Sequence, residues 1–191
     1  RQVNSLPLSD VLPILEHLGL HVIKETPYEL TRREGAIISI QDFVLKYSLS
    51  SEIKLEKVKQ KFQEAFSKVW FGEAESDDLN KLLLATQLDW REIAMLRAYT
   101  RYMKQIQFGY TIEFIAQALA NNFEIACQIV RFFSARFSPQ ENVTDSQAAE
   151  LLREKIIAAA DKVENLSEDR VIRQFLLLIE ATVRTNFYQH N

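Results

Sequence analysis

Glycine is scarce in this sequence, and none of its four glycines is near another: Gly19, Gly35, Gly72 and Gly109 are all isolated. A loop that cradles phosphate brings backbone amides close to the ligand and therefore needs clustered glycines. The sequence thus holds neither a P-loop nor a dinucleotide fingerprint. Cysteine is scarcer still. Cys127 is the single one, so an internal disulfide is excluded, and the usage fits a reducing compartment, the cytoplasm. Long hydrophobic runs are missing as well, because charge interrupts each apolar stretch within a few residues. No signal peptide or membrane-length segment is expected. An excess of one charge is also lacking. The 23 Lys and Arg face 26 Asp and Glu, a formal net charge of −3, which gives no general attraction to nucleic acid or to anionic membrane.

What is present is the composition of a globular chain, 47% hydrophobic, and long enough at 191 residues for one real core or two small ones. The chain opens on Arg1 rather than Met, as a piece cut from a longer protein would. Leu8 to Leu18 reads as an amphipathic helix with Ser9 as N-cap and Gly19 as its stop. His21 to Leu30 and Ala36 to Tyr47 read as two strands of a hairpin, joined by a polar turn that ends in Gly35. A lone hairpin is marginal in water, so these strands need partners. From Ser51 onward the periodicity is helical. Ser51 to Phe71 forms one helix. Asp77 or Asp78 caps a short one through Ala85, and Asp89-Trp-Arg-Glu92 is close to a capping box for a helix to about Gln107. Within that helix Ile93, Leu96, Thr100 and Met103 make one stripe and Met95, Tyr99, Tyr102 and Ile106 a second, a pattern that predicts burial on two sides. Thr111 caps the next helix, and Phe123 to Phe137 forms another. Pro139 to Thr144 is the best linker, Thr144-x-x-Gln147 opens a helix through Val163, and Ser167 caps a last helix to about Phe187. The fold class is α+β, mainly α: a small helix–strand–strand unit over residues 1–50, then a multi-helix bundle over residues 51–191.

Residues that could carry chemistry are few, and each has a structural reading beside the functional one. His17 and His21 are four apart, but Gly19 lies between a helix end and a strand start, so the geometry of a metal pair is lost. Cys127 lies on an apolar helix face with no histidine near it in sequence, which suits a buried structural thiol. Glu73, Glu75, Asp77 and Asp78 could bind a cation, but such a run more often stabilises a helix N-terminus. Arg91, Arg97 and Arg101 alternate with Tyr99 and Tyr102. That pattern can hold single-stranded nucleic acid, although Arg stems packing on aromatic faces is the plainer account. Trp70 and Trp90 are expected in the core. In the last helix Val171, Phe175, Leu178 and Thr182 make one stripe and Ile172, Leu176, Ile179 and Val183 another. Phe187 and Tyr188, at its end, are expected to dock on something outside this chain.

Several segments resemble the large NAD-specific glutamate dehydrogenases of bacteria. They are LSDVLPILEHLGLHVIKETPYEL, VWFGEAESDDLNKLLLATQLDWREIAMLRAYTRYMKQ, FEIACQIVRFFSARFSP and LSEDRVIRQFLLLIEATVRTNFYQ. In order, they cover nearly the whole chain. The resemblance implies the end of an ACT-like module over residues 1–50 and a helical motif that leads towards the dehydrogenase core. It implies a parent enzyme that oxidatively deaminates glutamate to 2-oxoglutarate and ammonia with NAD. That parent would be a homo-oligomer, acting on neither nucleic acid nor membrane. It assigns no catalytic, cofactor-binding or metal residue here, and the fragment alone should be inactive. ACT modules bind a regulatory amino acid at a glycine-bearing turn, and Gln2 to Pro7 has no glycine. The partners implied are the dehydrogenase core and other domains of the same chain, with Phe187 and Tyr188 as core-docking residues. A free-standing helical adaptor is the alternative reading.

Overall fold

The computed structural model describes residues 7–31, 37–47, 55–139 and 146–189. Helix α1 (Leu8–His17) leads into a hairpin of β1 (Leu20–Thr31) and β2 (Ile37–Tyr47), followed by α2 (Leu55–Trp70). A 3-10 turn (Asp78–Lys81) runs into the short α3 (Leu82–Thr86). Then come α4 (Trp90–Gln105), α5 (Ile112–Asn121), α6 (Phe123–Phe137), α7 (Ser146–Ala160) and α8 (Leu166–Ala181). The α+β, mainly helical class expected from periodicity is the observed one. Residues 32–35 of the expected hairpin turn, 51–54 of the expected helix from Ser51, 140–144 of the expected linker and the Thr144 cap lie outside the described residues.

Local chemistry sets most boundaries. Gly19, at φ +83°, takes the left-handed conformation that stops α1 and turns the chain into β1. The strands pair antiparallel from Leu20↔Tyr47 to Thr31↔Ile37, with a register shift between Val22 and Lys24 that leaves Ile23 out of the ladder. Asp77 accepts from the Leu79 amide, 3.1 Å away, and caps the 3-10 turn. At α4 the capping box is complete. Asp89 Oδ1 accepts from the Glu92 amide at 2.8 Å, and Glu92 Oε2 accepts from the Asp89 amide at 2.7 Å. Thr111 caps α5. Two expected caps fail. Pro7, not Ser9, stands at the start of α1, and Ser9 bonds the neighbouring Asp10 instead. At α8 the cap is Asn165, whose side chain accepts from the Ser167 amide, because the helix begins two residues earlier than a Ser167 cap allows.

One continuous cluster of buried apolar side chains runs from Ile14 and Leu18 of α1 through Val58, Leu82, Leu96, Leu119 and Ile129 to Phe175 and Ile179. Helix α5 packs on α8, α6 on α7 and α8, and α1 on α2, so α1 shares the core of the bundle. Helix α8 departs from expectation. It ends at Ala181, and residues of both its stripes (Val171, Phe175 and Leu178; Ile172, Leu176 and Ile179) are buried inside this chain. A helix surrounded on most of its circumference has to be apolar on most of it. The hairpin is the opposite case: Tyr28, Leu30, Ile38, Ile40 and Val44 stand exposed.

Candidate docking surface

Past Ala181 the chain leaves the helix through an extended Thr182, and its return onto the bundle builds the surface of interest. Thr182 Oγ1 donates back to the Leu178 carbonyl at 2.8 Å. It therefore accepts from Tyr99 Oη, also 2.8 Å away, which ties the segment to α4. Burial raises the Tyr99 hydroxyl above the usual tyrosine range, against the pull of the Arg136 charge. Farther on, Arg91 Nη2 donates to the Phe187 carbonyl at 2.7 Å, and its guanidinium lies 5.4 Å over the Phe187 ring. Phe187 meets Phe133 of α6 edge-on at 5.3 Å, and Tyr188 stacks on the same ring at 6.3 Å. Phe187 and Tyr188 are thus half-buried on this chain's own core rather than exposed. Sequence alone could not supply Phe133 as their partner, because it lies 54 positions upstream.

Helix α4 forms the floor of an open groove of about 920 Å³ beside that segment. Trp90, Ala94, Ala98 and Tyr102 line it at four-residue spacing; Thr182, Arg184 and Phe187 form one wall. Burial of α4 on two sides is only half achieved. Ile93, Leu96, Thr100 and Met103 are buried, as is Met95 of the second stripe. Tyr99 is half-buried, while Tyr102 and Ile106 are exposed, at 49% and 45%. The second stripe climbs out of the core because no described element packs over the C-terminal half of α4 on that side.

The other candidates resolve into structural roles. Arg97 does not lie on an aromatic face. It is buried against Asp77, with Nε 2.6 Å from Oδ2, and also donates to Asn80. Arg101 pairs with Glu75, Lys68 with Glu73, and Lys81 with Asp78, so each carboxylate of the acidic cluster meets a cation. His17 Nδ1 lies 2.8 Å from Ser76 Oγ. Cys127 is half-buried with Sγ directed at the Thr86 carbonyl. Burial, then the charges of Glu92 and Glu124, raise its thiol against the pull of Arg131. Trp70 and Trp90 pack against the core only in part. Trp90 Nε1 donates to Glu64 at 2.8 Å, and Trp70 stacks on Phe66. An indole that must keep its N–H paired to a surface carboxylate cannot be fully buried. Among the described residues no helix is long and apolar enough to cross a membrane.

Fold and surface together define a mainly helical module with an α–β–β unit at its front. Comparison with known proteins places it. The glutamate dehydrogenase ACT3 domain model matches residues 1–58 and the helical motif 3 model residues 74–139. The catalytic domain model of bacterial NAD-glutamate dehydrogenase matches residues 155–191. The chain is 44% identical over 184 residues to the NAD-specific glutamate dehydrogenase of Halomonas elongata, covering 96% of this chain and 11% of that protein. It is 43% identical over 189 residues to the Pseudomonas aeruginosa protein of the same name and 31% over 189 residues to the Mycobacterium tuberculosis one. These matches cover 96% and 95% of this chain and 12% of each relative. The chain belongs to the bacterial NAD-specific glutamate dehydrogenase family and spans about a tenth of the length of these relatives.

Proposed function

We propose that this chain is a non-catalytic scaffolding and regulatory segment of a large NAD-specific glutamate dehydrogenase. The whole enzyme oxidatively deaminates L-glutamate to 2-oxoglutarate and ammonia with NAD, in the cytoplasm, as a homo-oligomer. Residues 1–50 form an ACT-like unit and residues 51–191 a helical domain leading towards the dehydrogenase core. The matches at residues 1–58, 74–139 and 155–191 support that order. NAD belongs to the core. In the element order β2 follows β1, and no glycine lies between β2 and α2, so the described strands offer no strand–glycine turn–helix to a pyrophosphate. Residues 155–191 contain no glycine, so they supply no glycine-rich phosphate loop.

The observation that carries this reading is the clamp on Phe187 and Tyr188. Arg91 and Phe133 hold the end of the stretch that matches the catalytic domain model. A connection fixed in this way lets the bundle orient the core. The docking role of Phe187 and Tyr188 is thus one of positioning through this segment. The test uses the full-length polypeptide beside residues 1–191 alone. Glutamate-dependent NAD reduction is expected from the first and not the second, and turnover that tracks the short chain through purification refutes the assignment. In the full-length protein Phe187→Asp should lower activity while Phe187→Leu retains it. Unchanged activity, thermal stability and assembly in Phe187→Asp would leave the segment a simple tether.

A further inference from the structure

The groove over α4 has the form of a seat for a helix. Its floor residues Trp90, Ala94, Ala98 and Tyr102 follow one i, i+4 ridge about 18 Å long. Small side chains at the centre let another backbone approach closely, and an aromatic ring closes each end. A second groove on the far side of the same ridge, about 420 Å³, is lined by Glu73, Glu75 and Arg101 as well as by the shared Trp90 and Tyr102. The ridge is therefore open from both flanks. Val183, on the wall segment, is 85% exposed, the most exposed large apolar side chain among the described residues. Arg184 lines the groove and makes no ion pair among the described residues, although nearby Arg97, Arg101 and Arg91 are all engaged. Gln189, the last described residue, also lines this groove, so the backbone is at its mouth there.

We infer that the groove seats an amphipathic helix from the dehydrogenase part of the same polypeptide. That helix lies with its apolar face on Ala94 and Ala98 and presents a carboxylate to Arg184. The inference rests on the scaffolding role proposed above and names the surface through which it acts. Three observations select this occupant over a second copy or a free ligand. Residues 155–191 match the catalytic domain model yet their described part holds only the end of α7, α8 and the segment that follows it. The chain accounts for only 11–12% of its relatives' length. The segment that carries the match ends at the groove rather than across the molecule from it. A helix tethered there has a high effective concentration at the seat, an advantage that no separate chain shares.

The test uses the full-length polypeptide with Tyr102 replaced by the photo-crosslinker p-benzoylphenylalanine, prepared as a mixture of isotopically heavy and light subunits. Peptide mass spectrometry then identifies what the probe captured. The expected product joins position 102 to a peptide of the dehydrogenase part, heavy to heavy or light to light. Its yield should fall about tenfold in an Ala98→Arg background, which places an unpaired cation on the seat at a cost of about 1.4 kcal/mol. Ala98 is exposed and Arg is a good helix former, so that variant keeps α4. Arg184→Glu should lower the yield as well, and Arg184→Lys should not. Heavy-to-light products would overturn the inference in favour of a contact between subunits. Products confined to residues 1–191, or no product, would overturn it outright. Intramolecular capture in a polypeptide without glutamate-dependent NAD reduction would instead refute the enzymatic reading and leave the seat standing.

Discussion

Arg97 and Asp77 meet as a fork: Nε lies 2.6 Å from Oδ2 and Nη2 2.9 Å from Oδ1. The pair ties the middle of α4 to the 3-10 turn that precedes α3. Asp77 does double duty, since Oδ1 also accepts from the Leu79 amide.

The Arg97 side chain is 7% exposed, and its removal takes the guanidinium donors from Asp77 Oδ2 and Asn80 Oδ1. Arg97→Met should cost about 3 kcal/mol, as expected when one partner of a largely buried pair is lost. Arg101→Ala, which breaks only the exposed pair with Glu75, should cost less than about 1 kcal/mol. Urea midpoints of the two variants compare them directly. Equal midpoints would show that the fork contributes no more than a surface pair.

Asp89→Ala removes one half of the α4 capping box and should cost about 1 kcal/mol. Its partner Glu92 carries a pH signature. Burial raises its carboxyl above the usual glutamate range, against the hydrogen bond from the Asp89 amide, which lowers it. Between the unfolded and the raised folded value the folded chain binds more protons, so stability falls as pH rises through that window. Glu92→Gln keeps an acceptor for the amide and removes the titration. The stability of the variant minus that of the parent should therefore grow as pH rises from about 4 to about 7. Denaturation at several pH values checks this, and a constant difference would refute it.

Cys127 should be a slow nucleophile. Its raised thiol leaves little thiolate at neutral pH, and half the side chain is covered. Alkylation by iodoacetamide should run several-fold slower in the folded chain than in urea at the same pH. Equal rates would place the thiol in solvent.

Phe133 and Phe187 touch, but they should not cost the same to remove. Phe133 is 2% exposed and gathers Tyr99, Phe137, Phe187 and Tyr188 around it. Phe133→Ala should cost about 3–5 kcal/mol. Phe187 is half-covered, so Phe187→Ala should cost about half as much and chiefly free the segment from Thr182 to Gln189. Hydrogen exchange over that segment should rise in Phe187→Ala while α8 stays protected. Loss of protection in α8 would mean that the clamp also holds the helix.

The sequence by itself determined the parts of this protein whose chemistry is local. A cap acts within four residues, so Asp77 or Asp78, Asp89-to-Glu92 and Thr111 announced their helices and Gly19 the end of α1, although at Ser9 and Ser167 the helix start fell on another residue. Helical periodicity marked the bundle, Ile-, Val- and Phe-rich segments around a polar turn marked the hairpin, and the motif-bearing segments identified the family. Tertiary structure decided whatever depended on partners distant in the chain. Asp77 and Arg97 are 20 positions apart, Trp90 and Glu64 are 26 apart, and Arg91 and Phe187 are 96 apart. No pattern along a sequence encodes which cation closes on which carboxylate. It equally does not encode which of two apolar stripes finds a cover. Both stripes of α8 are buried as far as Leu178 and Ile179, with Val183 exposed beyond the helix end, whereas the second stripe of α4 surfaces at Tyr102 and Ile106. Apolar periodicity records that a face is suited to burial, and only the packing of the other helices decides whether this chain or another part of the protein supplies the burial.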